Sequence, residues 1–174
     1  VTTHSQGLTG LATGTLYHGR VKSMNALDLP ATSADFTFTT VAPPVISAVA
    51  ASAITGTTAA IGWTTDQTAD SQVEYGLTTA YGATTTLDAT LVTTHGQGLA
   101  GLATGTLYHY RVKSTNSVGL LTTSADVTFT TIAPPVVSGV SASAITGTTA
   151  TIGWTTDQIG RAPCSERACT AVEI

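Results

Sequence analysis

Residues 1–67 recur almost letter for letter at 92–158, so the chain is part of a tandem array. The two copies are offset by a constant 91 residues, from Val1 to Val92, and they differ at 15 of 67 aligned positions. A period of about 90 residues is too long for a solenoid repeat and suits a domain with its own hydrophobic core. Catalytic domains are seldom duplicated with so little change, whereas modules that supply length or multivalency often are. The repeat therefore predicts a non-catalytic module of a larger protein.

Charged residues are scarce in this chain. Asp, Glu, Lys and Arg make up 9% of it, against about 25% in an average soluble protein. Threonine supplies about a fifth of the residues, and its β-branched side chain favours pleated strands. The net charge is −4 with six basic residues, which argues against a nucleic-acid partner because phosphate binding needs clustered Lys and Arg. No apolar run approaches the ~18 to 20 residues of a membrane span, so we expect no membrane insertion in this segment.

The repeat pattern ends at Gln158. Copy one continues from Gln67 as TADSQVEYGLTTAYG, whereas copy two continues as IGRAPCSERACTAVEI. The first four residues of that last segment resemble one reading frame of a sequencing-adapter end. We therefore interpret residues 159–174 as an aberrant, non-native tail, the alternative being a genuinely divergent terminus. Cys164 and Cys169 could form a disulfide or half a metal site, but the chain contains no second ligand pair.

Two consecutive prolines mark each end of one complete repeat, at Pro43-Pro44 and again at Pro134-Pro135. Because proline fixes the backbone angle φ, each junction should be a short, stiff, extended spacer and not a flexible linker. After the first junction, the apolar run from Val45 to Ile54 ends at a Thr-Gly pair. This pattern predicts a first strand followed by a turn.

Beyond that turn, apolar residues alternate with more polar ones at a period of two. The alternation covers 59–63, 71–75, 108–112 and 127–129. It places Trp63 on a buried face and directs the charges of 108–112 into water. No stretch of the repeat has helical periodicity, and turn signals separate the strands every ~8 to 12 residues, which predicts an all-β, two-sheet sandwich.

Particular residues carry a family resemblance. Trp63 on the second strand, the stretch LAGLATGTLY that contains Leu102 and ends at Tyr108, and Tyr110 with the Arg-Val that follows it resemble a fibronectin type III domain. The resemblance implies that Tyr108, like its copy Tyr17, forms a tyrosine corner, in which the phenol hydroxyl bonds to nearby backbone. It also implies the immunoglobulin-like sandwich of that family.

A second stretch is closer to a bacterial subset of the family. The segment SQVEYG at 71–76, followed by Tyr81-Gly82, is similar to the N-terminal sandwich that precedes purple acid phosphatases. This fold hosts many unrelated roles, so the resemblance implies a fold and no particular activity.

Two positions depart from the family pattern. Gln97 lies where the alternation with His95 and Leu99 predicts an apolar inward residue. A buried Gln without hydrogen-bond partners costs about 1–3 kcal/mol, so we expect the strand to start only near Leu99. In copy one, Gly19 replaces Tyr110. The loss of that ring removes a large apolar surface, so we expect the N-terminal copy to be the weaker one.

The residue pattern predicts no catalytic residue, no cofactor site and no metal site. His109 alternates outward beside Arg111, and His95 opens a strand, with no Cys, Asp or Glu at ligand spacing near either. Asp66 and Asp70 bracket a predicted loop, where turn formation is the preferred interpretation over a weak Ca²⁺ site. The chain has no Gly-x-Ser-x-Gly elbow and no Gly-rich phosphate loop.

Tyr81, with Tyr75 as a neighbour, is the candidate for ligand contact. Loops at the ends of a sandwich carry recognition in this architecture, and an exposed Tyr can stack on a sugar ring. The alternative is that Tyr75 belongs to the core and that Tyr81 covers an open end of the sandwich.

The domain prediction follows from the repeat and the strand pattern. Residues 43–132 should form one complete seven-stranded sandwich of the fibronectin type III type. Residues 1–41 supply the C-terminal part of a preceding repeat, and residues 134–158 supply the N-terminal part of a following one. The residues predicted to be structural, in the complete unit and then in the partial ones, are Trp63, Leu102, Tyr108, Tyr110, Tyr17 and Trp154.

The leading functional prediction is a non-catalytic spacer, adhesion or protein-interaction module of a secreted or cell-surface bacterial protein. Near-identical repeats, stiff junctions, low charge and a repeat without cysteine all fit that class. Its partners would be neighbouring domains of the same polypeptide, and other proteins or glycans. The alternative is an accessory module of a secreted phosphoesterase or polysaccharide-degrading enzyme, and a third possibility is carbohydrate binding by the repeat itself.

Overall fold

The computed structural model of the chain describes residues 2–157. The predicted tail at 159–174, with Cys164 and Cys169, lies outside the described residues. Across 2–157 all thirteen regular elements are β-strands. In this part of the chain no helix is long and apolar enough to cross a membrane.

The first part of the chain forms two small antiparallel pairs. Its strands are β1 (Leu16–Gly19), β2 (Lys22–Met24), β3 (Pro30–Thr32) and β4 (Phe36–Thr39). β1 pairs with β4, and β2 pairs with β3. These strands correspond in the repeat to the last strands of the complete unit.

The complete unit contains seven strands. They are β5 (Ile46–Ser52), β6 (Thr58–Gly76), β7 (Ala83–Thr84), β8 (Asp88–Ala100), β9 (Leu107–Thr115), β10 (Leu121–Thr123) and β11 (Val127–Thr130). The first half of β6 pairs with β5 and β8, and its second half pairs with β7 and β9, with β8 still paired at Ala69 and Ser71. β9 also pairs with β10 and β11. All pairs are antiparallel, and β6 passes from one layer of the sandwich to the other.

The continuity of β6 contradicts the predicted loop between Asp66 and Asp70. Both residues lie inside the 19-residue strand. Asp66 Oδ1 accepts a hydrogen bond from the Val45 N–H at 2.7 Å, and Asp70 Oδ1 accepts one from the Thr115 N–H at 2.6 Å. The two carboxylates therefore accept hydrogen bonds from the backbone of neighbouring segments at the point where β6 changes sheets. They do not cap a turn of their own segment.

The core lies between the two layers and consists of the inward residues of the alternating strands. Trp63, Ile61, Val73, Tyr110 and Val112 are all at most 2% exposed. Burying one large apolar side chain contributes about 1.5–3 kcal/mol to folding, so these few residues supply much of the stability of a charge-poor domain.

The tyrosine corner that the family resemblance implies is present twice. Tyr108 Oη accepts a hydrogen bond from the Ala103 N–H at 3.0 Å, and Tyr17 Oη accepts one from the Ala12 N–H at 2.8 Å. Both bonds span five residues, and they fix the chain leading into β9 and β1 in the same way.

Gln97 does not delay the start of its strand, so that expectation was wrong. β8 begins at Asp88 and runs through Gln97 to Ala100. The side chain is half-buried, and its Nε2 donates to the Ser71 carbonyl at 3.3 Å. A partner on β6 satisfies the amide that the sequence pattern left unexplained.

The third part of the chain repeats the first hairpin of the complete unit. β12 (Val137–Ser143) pairs antiparallel with β13 (Thr151–Thr156), with a register shift at the same repeat position as in the β5–β6 pair. Trp154 is 38% exposed, whereas its counterpart Trp63 is 2% exposed. The difference arises because no second layer covers β13 within the described residues.

The predicted fold class is confirmed. Across residues 2–157 the structure is all-β, with one complete seven-stranded sandwich flanked by two partial ones. The domain bounds 1–41, 43–132 and 134–158 stay a prediction.

Candidate functional site

The outer face of the β6–β9 pair carries both basic residues of the complete unit. Because β9 alternates, His109, Arg111 and Lys113 lie on the side opposite to the buried residues. Glu74 lies directly across from Arg111 in the β6–β9 register. The strand period therefore gathers two cations, one carboxylate and one imidazole on one surface.

Glu74 is paired with both cations. Its Oε2 lies 2.6 Å from Arg111 Nε, and its Oε1 lies 3.2 Å from Lys113 Nζ. The hydrogen bond from Arg111 lowers the pKa of the Glu74 carboxyl below its ordinary range, and this effect outweighs the opposing effect of burial. The three side chains form a small ion-pair network across two strands.

Tyr81 is held in the same surface cluster. The Arg111 guanidinium lies over its ring, 4.5 Å from the ring centroid. The Tyr81 hydroxyl donates to Asp126 Oδ1 at 3.1 Å, and Asp126 Oδ2 lies 2.8 Å from His109 Nδ1. Burial, followed by the hydrogen bond to Asp126, raises the pKa of Tyr81. Asp126 thus connects the tyrosine to the histidine.

The backbone positions Tyr81 in an uncommon conformation. Its φ is +61°, in the left-handed region that side-chain-bearing residues seldom adopt. Its N–H donates to the Thr78 carbonyl at 2.9 Å, which closes a turn between β6 and β7. This turn directs the ring onto the outer face of the sheet.

Tyr75 and Tyr81, the predicted ligand-contact residues, lie in different environments. Tyr75 is half-buried and packs against the hydrophobic core, on the inward side of β6. Tyr81 is half-buried beneath Arg111 on the outer side. The two rings therefore do not form a shared stacking platform. A planar ligand on the Arg111 side of Tyr81 would have to displace the guanidinium, whose cation–π contact is worth about 0.5–1 kcal/mol at such a site.

A second polar cluster is buried between β6 and β8. His95 Nδ1 lies 2.7 Å from Ser71 Oγ, and His95 Nε2 lies 2.8 Å from Thr65 Oγ1. The imidazole stacks on Trp63 with ring centroids 5.0 Å apart and planes 7° apart. Burial lowers the pKa of His95, while the charges of Asp70 and Asp88 oppose that shift.

The Ser71–His95 distance is one that a nucleophile and its base also adopt. Ser71 is 2% exposed, however, and His95 is 4% exposed. Both imidazole nitrogens are bonded to hydroxyls, so this cluster ties β8 to β6. Sequence analysis missed it because the partners are separated by 24 and 30 residues; the inward position of His95 in the alternation was the available signal.

Within residues 2–157, no three or more His, Cys, Asp and Glu side chains are grouped so that they could hold a metal ion. The carboxylates of Asp66 and Asp70 accept backbone N–H groups.

A groove of about 630 Å³ lies against the first partial unit. Its lining includes Leu8, Leu11, Tyr17 and Phe38. The equivalent residues of the complete unit, Leu99, Leu102, Tyr108 and Phe129, belong to the buried core. The groove is therefore the uncovered inner face of half a sandwich.

Comparison with known proteins finds a sequence match to a much longer protein. No protein-family model matches the chain. It is 38% identical over 160 residues to Endoglucanase B of Cellulomonas fimi, a match that covers 85% of this chain and 15% of that protein. The chain thus spans 15% of the length of the curated relative it matches.

Two solved structures match the chain at low identity. One is the sensor domain of the anti-sigma factor RsgI4 of Pseudobacteroides cellulosolvens, at 21% identity and a TM-score of 0.41, covering 55% of this chain and 100% of that chain. The other comprises the FN1–FN3 domains of chicken CNTN1, at 18% identity and a TM-score of 0.43, covering 71% of this chain and 45% of that chain.

Proposed function

We propose that this chain is a non-catalytic repeat module of a secreted bacterial protein, in which it spaces other domains apart. The match to Endoglucanase B carries the proposal: it takes in 85% of this chain but 15% of that protein. A tandem unit of this kind is therefore a small part of a much longer polypeptide in at least one relative.

The construction of the unit supports a spacer. The complete unit has its own core and its own tyrosine corner. The charged side chains of the outer face are paired with one another. A module with these properties folds independently and adds length without requiring a ligand.

The same match supports a narrower proposal about the parent protein, namely a polysaccharide-degrading enzyme acting outside the cell. The name of the relative describes an enzyme of that class. In such a protein the repeats would act as an accessory segment, and an extracellular location would follow.

Reading the complete open reading frame around this sequence tests both proposals. We expect further copies of the 91-residue repeat, an export signal and a separate domain with a polysaccharide-hydrolase active site. A reading frame with repeats and a wall anchor but no catalytic domain would support a surface adhesion role instead. A parent protein without an export signal would contradict the extracellular assignment.

Direct glycan contact through Tyr81 is a separate candidate, motivated by the aromatic ring on the outer face. Depletion of the chain by insoluble glucan, chitin and xylan measures it. The spacer proposal expects no depletion. Depletion that disappears in Tyr81→Ala but persists in the matched variant Tyr75→Phe would instead assign a binding role to this surface.

A further inference from the structure

The junction between the first partial unit and the complete unit is hydrogen-bonded to both units through consecutive residues. The Val41 carbonyl accepts from the Gly14 N–H at 3.1 Å, on the preceding side. The next carbonyl, that of Ala42, accepts from Gln67 Nε2 and from Asn116 Nδ2, each at 3.1 Å, on the following side. No residue separates the last bond to one unit from the first bond to the next.

Gln67 and Asn116, which we call the amide pair, are themselves fixed. Asn116 Nδ2 also donates to Gln67 Oε1 at 3.1 Å. Asn116 Oδ1 accepts from the N–H groups of Val118 and Leu120 at 3.2 and 3.0 Å. Asn116 is 6% exposed. Its amide therefore has one orientation, with the donor directed at the Ala42 carbonyl.

The residues after the first proline are held as firmly. Pro44 is less than 2% exposed, and the Val45 N–H donates to Asp66 Oδ1 at 2.7 Å. The second junction repeats this contact, because the Val136 N–H donates to Asp157 Oδ1 at 2.8 Å. This bond to an aspartate is therefore common to both junctions.

The covalent chain at the junction adds its own restriction. Proline fixes φ at about −65°, and a residue that precedes proline is pushed out of the helical region. Ala42 precedes Pro43, which precedes Pro44. Few backbone conformations remain, and the bonds to the amide pair select among them.

We propose that the amide pair is a binding site for the Ala42 carbonyl, at the residue that joins the preceding unit to Pro43, and that this contact holds successive units in one orientation. The array then behaves as a rod with a rise set by the repeat, and not as independent domains on a flexible string. This inference rests on the proposed spacer function and states how the spacer keeps its length.

Nuclear spin relaxation of the full chain tests the proposal. In the wild type, we expect backbone order parameters at Ala42 and Val45 of about 0.85, as in rigid strands. In Asn116→Asp we expect the value at Ala42 to fall below about 0.6, while Val45 stays rigid because its N–H still donates to Asp66. The aspartate keeps an acceptor for Val118 and Leu120 but loses the donor to Ala42. Residual dipolar couplings of β4 and β9 should fit one alignment tensor in the wild type and require two in the variant.

Asn25→Asp provides the matched control. Asn25 is the repeat counterpart of Asn116, and its Oδ1 accepts from the Leu27 and Leu29 N–H groups at 2.9 and 3.0 Å. This variant should leave Ala42 and Val45 unchanged. Should Asn116→Asp unfold the complete unit, Gln67→Ala removes the other donor without touching that loop.

An order parameter below about 0.6 at Ala42 in the wild type would overturn the proposal. An order parameter at Ala42 that is unchanged in both Asn116→Asp and Gln67→Ala would also overturn it. These measurements do not depend on the activity of the parent protein. A rigid junction in a protein without a spacer role, and a flexible junction in a genuine spacer, are therefore distinguishable outcomes.

Discussion

Gly19 and Phe36 are cross-strand partners on β1 and β4, and the Phe36 ring occupies the space that a side chain on Gly19 would need. A Cβ atom on Gly19 would lie 2.8 Å from Cζ of Phe36. In the complete unit, the equivalent partners are Tyr110 and Val127. The aromatic side chain of this cross-strand pair therefore lies on β4 in the first copy and on β9, the counterpart of β1, in the complete unit.

The position of the Phe36 ring bears on the stability predicted for the first copy. The sequence alone predicts that this copy is the weaker one, because it lacks the Tyr110 ring. Phe36 restores an aromatic side chain at the same cross-strand pair, as an aromatic residue opposite a strand glycine commonly does. The relative stability of the two copies stays a prediction.

Introducing the glycine and the phenylalanine of the first copy into the complete unit, as Tyr110→Gly and Val127→Phe, should change the free energy of unfolding in a non-additive way. Tyr110→Gly leaves a cavity that costs about 3–5 kcal/mol, and Val127→Phe overpacks the core by about 1–3 kcal/mol. We expect the double variant to be more stable than the sum of the single effects by about 0.5–3 kcal/mol. Urea unfolding of the four proteins measures this coupling. Additive free energies would show that the two residues do not share one space.

The hydroxyl of Tyr110 should be dispensable. Tyr110 is fully buried, and within the described residues its Oη has no hydrogen-bond partner. Burial raises the pKa of this phenol. Because an unsatisfied buried polar group costs about 1–3 kcal/mol, Tyr110→Phe should leave the free energy of unfolding unchanged or raise it.

Tyr108→Phe is the control for that substitution. The ring is equally aromatic and 8% exposed, but its hydroxyl accepts the Ala103 N–H at 3.0 Å. Losing this bond should lower the free energy of unfolding by about 0.5–1.5 kcal/mol. If Tyr110→Phe is as destabilising as Tyr108→Phe, an unseen partner satisfies the Tyr110 hydroxyl.

Much of the fold follows from local sequence pattern. The period-two alternation by itself predicts that Trp63 and Val112 point inward, and both are at most 2% exposed. The stretch that ends at Tyr108 implies the corner bond through a family resemblance. These features depend on residues close together in sequence, where pattern is informative.

The remaining features depend on partners far apart in the chain. Arg111 covers a ring 30 positions earlier, at Tyr81, and the Gln97 amide bonds to the Ser71 carbonyl. Asp66, inside the continuous β6, likewise accepts a hydrogen bond from the Val45 N–H, 21 residues earlier. Neither periodicity nor composition specifies such pairs, because both are properties of short windows and not of the folded register.

Gly76 at the end of β6 should tolerate no side chain. A Cβ atom there would overlap the carbonyl oxygen of Tyr81, and that obstacle is backbone. Gly76→Ala should therefore displace the turn before β7, separate Tyr81 from Arg111 and cost about 1–3 kcal/mol or more. Urea unfolding gives the free energy, and the chemical shifts of the Tyr81 ring report the lost cation–π contact.

Gly98→Ala is the matched glycine control. Gly98 is exposed on β8, and no heavy atom would lie within 4 Å of an added Cβ. We expect its free energy of unfolding to stay within about 0.5 kcal/mol of the wild type. Equal effects at the two glycines would mean that backbone entropy, and not the contact with Tyr81, determines the cost.

The buried imidazole of His95 should make the complete unit less stable in mild acid. Burial lowers the pKa of His95 below the ordinary value of 6.5, despite the opposing charges of Asp70 and Asp88. The unfolded chain therefore takes up this proton at a higher pH than the folded chain does. The stability should be constant above about pH 6.5, fall as the pH drops below it, and level off below the folded-state pKa.

Urea unfolding at a series of pH values between about 7.5 and 5 measures this dependence, with a loss of about 1.4 kcal/mol for each unit by which the pKa is lowered. His95→Gln should be less stable at neutral pH but should have a flatter profile across the window. Glu74 and Asp88 do not confuse the result, because the lowered pKa values of their carboxyls place their titrations below 4.5 and 3.8. A profile as steep in His95→Gln as in the wild type would assign the acid sensitivity to another group.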